Sequence, residues 1–195
     1  MNVAVAHARV SGKGATFVSV LPEGALGDHV VDVAAAAGVS TEAVRANGHA
    51  ATLGTLHVVE DTSGPRPLYQ RHHSAFCKMV GADTFRWSEL LSSAHWFHCT
   101  GITPLLGPGP HAAWDAALEV SGSPDAPTQT FFDLNHRPAL GSLDELWALV
   151  QPRLPSITFL MLSEGSLRER CPPPAIAPSI ITITTVTTTS STSIV

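Results

Sequence analysis

Charge is scarce in this chain, basic charge above all: Lys and Arg number 11 in 195 residues, nowhere form a cluster, and leave a formal net charge of −5. A phosphate backbone is held by clustered cations, so nucleic-acid binding is excluded as a function class. Cysteine is also scarce. Cys77, Cys99 and Cys171 show no paired spacing, which argues against a disulfide framework and a Cys-rich zinc site, so a reducing, cytoplasmic compartment is expected. The N-terminus lacks a basic region followed by a long apolar core, and no uncharged apolar run is long enough to span a bilayer. A soluble protein with no membrane partner is expected. The chain has no G-x-S-x-G elbow, Walker loop, G-x-G-x-x-G fingerprint or H-E-x-x-H pair.

What is present centres on Phe131-Phe132-Asp133-Leu134-Asn135-His136-Arg137-Pro138, an apolar run followed by polar side chains at alternate positions. On an extended strand Asp133, Asn135 and Arg137 would emerge on one side at the carboxyl end, where open α/β sheets place their ligands. The preceding chain supplies the scaffold. Residues 2 to 10 read as a helix stopped by Ser11-Gly12-Lys13-Gly14, and Ala15 to Leu21 as a buried strand. A loop from Pro22 to Gly27 leads to a helix through Ala37, closed by the turn Gly38-Val39-Ser40. Two apolar, β-branched runs, 52 to 60 and 67 to 71, flank the turn Asp61 to Arg66 and predict an antiparallel hairpin, a lid over about 50–73.

From Thr84 the α/β rhythm resumes, with a short helix to Ser93, a strand His95 to Cys99, a loop Thr100 to Pro110 and a helix from about His111 to Val120. Ser142-Leu143-Asp144-Glu145 matches a capping box opening a helix to Val150, and Ile157 to Leu162 reads as another buried strand. After Arg170 the composition changes to an uncharged Pro, Ile, Thr and Ser run. Residues 1–170 are therefore expected to form one α/β unit, and 171–195 a disordered tail foreign to the fold.

Two readings of the strand end stay open: a structural salt bridge to a neighbouring helix, or a ligand site in which the Arg137 fork meets a carboxylate, sugar hydroxyls or a phosphate. Tyr69 and Arg71 alternate onto one face of the second lid strand and offer a second anion-binding arm or a solvated edge. His95 and His98 lie three apart on a strand and face opposite ways, so they cannot share a metal, and no metal site is assigned. His72-His73 reads as surface, and Gly107-Pro108-Gly109-Pro110 as a turn with too few free amides to cradle phosphate.

The order of motifs resembles the ribokinase-like (PfkB) carbohydrate kinases, closest to the 2-dehydro-3-deoxygluconokinase branch. The resemblance is carried by Asn2-Val3-Ala4-Val5-Ala6, Gly38-Val39-Ser40-Thr41, Leu68 to Ala75, Trp96 to Thr103, Phe132 to Pro138 and Phe159 to Glu164, and covers residues 2 to about 168. It implies a three-layer α/β/α Rossmann-like sheet with a small β lid, and ATP- and Mg²⁺-dependent phosphorylation of a sugar or keto-deoxy sugar acid. It places Tyr69, Arg71, Ile102, Arg137 and Asn2 at the substrate and Asn135 and Ser163 toward the nucleotide, and implies a possible homodimer through the lid. This chain departs from the pattern. The first strand and the Gly-Gly pair before Asn2 are missing, Leu56 replaces a lid aromatic, and Ser163-Glu164-Gly165 replaces Asn-Glu-Glu. No Gly-x-Gly-Asp occurs, and Gly27-Asp28 is the nearest dipeptide. No catalytic residue is therefore assigned. A chain truncated at both ends and inactive is expected, with a non-catalytic sugar-acid binder or regulatory protein as the alternative.

Overall fold

The computed structural model describes residues 1–46, 52–62 and 64–170. Helix α1 (Asn2–Ser11) stops where Gly12 turns left-handed at φ 66° and donates its N–H to the Ala8 carbonyl. Strand β1 (Ala15–Pro22) pairs in parallel with β2 (Val39–Ala46) from Ala15↔Val39 to Pro22↔Ala46, with α2 (Ala25–Ala36) between them. The sequence reading differs here in two respects. Gly38, at φ 77°, makes the turn alone, so Val39 and Ser40 already belong to a strand. The loop after β1 is also shorter, because Gly24 ends it and Gly27 lies buried inside α2.

The expected hairpin is β3 (Thr55–Asp61) with β4 (Gly64–Gln70), antiparallel. Its connection is tighter than the expected Asp61-to-Arg66 turn, because Asp61 pairs with Gly64, and Pro65 and Arg66 lie opposite Glu60 and Val59 as strand residues. Pro65 and Pro67 have the same parity, so their missing donors face one edge, which a two-stranded ribbon leaves unpaired. Arg71 falls just past β4. The hairpin returns to the body through Ala75, whose N–H reaches the Thr52 carbonyl at 2.7 Å, and Ser74 caps α3 (Ala75–Met79) by accepting from the Cys77 N–H.

A 3-10 turn (Ala82–Thr84) and α4 (Trp87–Leu91) lead into a parallel sheet in the order β5 (Trp96–Thr100), β6 (Gln129–Asp133), β7 (Phe159–Met161). Helix α5 (Pro108–Ser121) starts earlier than expected, so Gly107-Pro108-Gly109-Pro110 is no free turn but the helix entry, with Pro108 at the first helical position. Gly109 is required there, since a Cβ would sit 2.2 Å from the Val80 carbonyl oxygen. Helix α6 (Leu143–Val150) opens on the expected capping box: Ser142 Oγ accepts from the Glu145 N–H at 3.1 Å and the Glu145 carboxylate accepts from the Ser142 N–H. Helix α7 (Glu164–Arg170) ends the described chain, and the expected tail at 171–195 lies outside the described residues.

The core joins these pieces. Ala117 and Leu118 of α5, Leu146 and Val150 of α6, and Phe132 and Leu134 at β6 are all fully buried in one cluster. Buried hydroxyls are satisfied inside it, Thr128 donating to the Leu91 and Ala94 carbonyls and Thr130 to Ser121 Oγ. The Asp115 carboxylate accepts both arms of Arg153, fastening α5 to the 3-10 segment Gln151–Ser156. One expectation fails: β7 is short and half-open rather than a buried strand, with Phe159 37% and Met161 51% exposed. No helix among the described residues is long and apolar enough to cross a membrane.

Gly101 is closely surrounded, for a Cβ there would meet the Leu134 carbonyl oxygen at 2.2 Å and Leu146 Cδ2 at 2.9 Å, whereas one at Gly14 would meet nothing within 4 Å. Gly101→Ala should destabilise by about 1–3 kcal/mol and Gly14→Ala by less than about 0.5 kcal/mol, read from urea denaturation midpoints. Equal losses would show that the close approach is not a constraint.

Candidate functional site

The carboxyl end of β6 is shaped by one residue. The Leu134 N–H still bonds the Met161 carbonyl, but Asn135 turns left-handed at φ 41° and its N–H is held 3.0 Å from Asp133 Oδ1. Asn tolerates this conformation better than most residues, and the Asp133 side chain closes the turn locally. Strand alternation therefore ends at Asp133. Asp133, Asn135 and Arg137 do not line up on one face as the sequence implied. Arg137 is exposed and folds back to donate to the His136 carbonyl at 3.2 Å, while His136 Nε2 lies 3.0 Å from the Gly141 carbonyl.

Beside this turn lies a cleft of about 570 Å³, with walls Thr16 to Ser19 of β1 and Phe97 to Thr100 of β5. Asn2 at the start of α1 also lines it, as do Trp114 of α5 and Ile102, Asp133 and Asn135 from the strand-end loops. The loop after β5 is set by backbone bonds, Gly101 N–H to the Asp133 carbonyl at 2.9 Å and Ile102 N–H to Thr100 Oγ1 at 3.3 Å. His98 is half-buried and stacked on Phe131 at 5.5 Å. Burial lowers its pKa; the Asp133 carboxylate opposes that shift and the Met1 amine adds to it. Burial pushes the Cys99 thiol far up, with the Trp114 indole pulling the other way, so Cys99 is no nucleophile at neutral pH.

Of the residues singled out in the sequence, Asn2, Ile102 and Asn135 share this cleft. Tyr69 and Arg71 do not line it; they sit together on the hairpin, the Arg71 guanidinium 3.9 Å from the Tyr69 ring centre. Ser163 is occupied locally, its Oγ accepting from the Ser166 N–H at the start of α7 and lying 3.0 Å from Ser166 Oγ. His98 was weighed in the sequence only as a metal ligand, and its place beside Asp133 follows from the register Thr100↔Asp133, which no local pattern encodes. Among the described residues, no three His, Cys, Asp or Glu side chains gather.

No protein-family model matches the chain, and no curated protein sequence matches it. Solved structures do. A 2-dehydro-3-deoxygluconokinase from Thermotoga maritima is 27% identical at a TM-score of 0.68, over 79% of this chain and 46% of its own. A PfkB family carbohydrate kinase from Listeria grayi superposes at 0.73 with 24% identity, over 89% and 54%. A fructokinase with bound ATP from Xylella fastidiosa gives 0.67 with 25% identity, over 86% and 51%. The likeness is to the PfkB carbohydrate kinases. The fold is accordingly an incomplete ribokinase-like α/β fold, and the chain spans about half the length of the solved structures it matches.

Within this ribokinase-like fold the lowered pKa of His98 gives a signed pH dependence. Because the folded-state pKa lies below the unfolded value of about 6.5, the unfolded chain binds the proton more readily, and stability is complete above that pH and falls as pH drops through the folded value. Denaturant unfolding between about pH 7.5 and 5 should show this slope, and His98→Gln should flatten it. An unchanged slope in the variant would assign the dependence to other groups.

Proposed function

We propose that this chain carries the substrate-binding part of a sugar kinase whose complete relatives transfer phosphate from ATP to a sugar or keto-deoxy sugar acid resembling 2-dehydro-3-deoxygluconate. The observation that carries this reading is the cleft uniting Asn2, Ile102 and Asn135, residues from three separate stretches, beside the carboxyl ends of β5 and β6. In this reading Tyr69 and Arg71 reach the substrate from the hairpin, and Arg137 meets a carboxylate or phosphate at the exposed rim. The apolar hairpin face bearing Leu56 and Val58 is where a second copy would pack.

ATP and Mg²⁺ belong to the reaction rather than to this part of the chain. Among the described residues, Asp133 is the one carboxylate lining the cleft, which suits Mg²⁺ held mainly through substrate phosphates. Asn135 would face the nucleotide. Ser163 is the weaker candidate, since its hydroxyl already caps α7. When bound, Mg²⁺ neutralises charge on the transferring phosphoryl group. The sequence holds no Gly-x-Gly-Asp, and lacking a base and an anion hole would each cost on the order of 10² to 10³ in rate. The second reading is a non-catalytic sugar-acid binder or regulatory protein.

Thermal unfolding of the purified chain with 2-dehydro-3-deoxygluconate, run beside an ATP-coupled assay, tests both readings. Stabilisation without turnover is expected, with Asn2→Ala weakening binding about tenfold, or ~1.4 kcal/mol. Turnover would refute the inactive assignment, and the absence of any sugar-dependent stabilisation would refute sugar binding.

A further inference from the structure

We propose that His136 is a positioning residue for Arg137: its ring staples the loop between β6 and α6, and so sets Arg137 at the rim of the cleft as a fork for a ligand carboxylate. The proposal rests on the sugar-binding reading above and deepens it, because it makes the site prefer a sugar acid to the matching neutral sugar. The loop is held at both ends. On the β6 side the Leu134 N–H reaches the Met161 carbonyl at 2.9 Å, and Asn135 makes its left-handed turn against Asp133 Oδ1. On the α6 side the Glu145 carboxylate accepts from the Ser142 N–H, and a Cβ at Gly141 would come within 3.3 Å of Leu105 Cδ2. Across the base of the loop His136 Nε2 lies 3.0 Å from the Gly141 carbonyl, and inside it the Leu140 N–H closes a turn on the Arg137 carbonyl at 2.8 Å. Pro138 takes the second position of that turn, for which its fixed φ is suited.

A carbonyl oxygen only accepts, so Nε2 must carry the hydrogen of the staple. His136 is half-buried and does not line the cleft, so its effect on a ligand runs through the residue beside it. Arg137 is exposed, gives one N–H to the His136 carbonyl at 3.2 Å, and has no other protein partner among the described residues. A guanidinium offers five N–H donors in a planar fork that matches a carboxylate with two parallel bonds. A long side chain and a loose backbone would both lose entropy on meeting a ligand, and stapling the backbone removes one of these losses before binding. Asn135, two residues earlier, lines the cleft, so one loop serves its interior and its rim. Asp133 and Met1 line the interior as well. The Asp133 carboxylate would repel a second carboxylate there and the Met1 amine would attract one, so the test separates Arg137 from Met1.

The test measures calorimetric dissociation constants of the full chain for 2-dehydro-3-deoxygluconate and for 3-deoxyfructose, the same carbon chain with a hydroxymethyl group in place of the carboxylate. The wild-type chain should bind the acid about tenfold more tightly. His136→Phe keeps a ring but removes the donor, and should cut that preference about threefold or more. His136→Gln, whose amide still reaches the carbonyl, should restore it, and Arg137→Leu should abolish it. A ratio of two affinities is insensitive to any unfolded fraction, which weakens both alike. Independently of any variant, nitrogen NMR of the imidazole should show Nε2 protonated. Four results would overturn the proposal: an unchanged preference in His136→Phe, a loss that His136→Gln does not restore, an unprotonated Nε2, or a preference that survives Arg137→Leu and so belongs to another cation such as the Met1 amine. Equal wild-type affinities for the two ligands would overturn it and leave sugar binding intact, whereas binding of neither would overturn the sugar-binding reading and the proposal together.

Discussion

The contact on which the rest depends is the approach of Gly101 to the backbone of β6. Its N–H donates to the Asp133 carbonyl, while its Cα lies against the Leu134 carbonyl and the Leu146 side chain so closely that no Cβ fits. One glycine thus fixes the end of β5, the end of β6 and the seat of α6 relative to one another. Asn135, one residue past Leu134, and Ile102, one past Gly101, inherit their places from it. This junction forms one end of the cleft, where Ile102, Asp133 and Asn135 line it.

The three-stranded sheet is covered unevenly. Phe97 and Phe132 point into the core, where Phe132 meets Trp114 at 5.8 Å and Phe97 meets Trp87 at 5.8 Å. The other face carries Trp96, His98, Phe131 and Phe159, which shield one another by stacking, Trp96 on Phe159 at 5.3 Å and His98 on Phe131. Parallel sheets are usually buried on both faces. Here the second face is only half-buried, and β7 is more open than its sequence suggests.

Signals that act within a few residues were read directly. The stop at Gly12, the capping box at Ser142 and the apolar cores of β1, β5 and β6 all depend on neighbours three or four positions away. The errors arose where one residue serves two purposes. Pro108 and Gly109 look like a turn, yet Pro suits the first position of a helix and Gly109 answers a contact with Val80, far away in sequence. Pro65 looks like a turn residue, yet an unpaired edge tolerates it within the strand, as it does Pro67. The extended alternation through Arg137 failed because the Asp133 side chain captures the Asn135 N–H and turns the chain, a local bond that competes with the strand.

By itself the sequence determined the class of the fold and most of its helices and strands, though not β2, because periodicity, capping and turn chemistry are written in adjacent positions; Asn2 and Ile102 were singled out only through the family resemblance. Tertiary structure alone decided that Asn2, Ile102 and Asn135 share a space, that Arg137 stays at the surface, and that His98 stands beside Asp133. Those outcomes depend on strand register and on which edges find a neighbour, and both are settled by contacts between residues tens of positions apart.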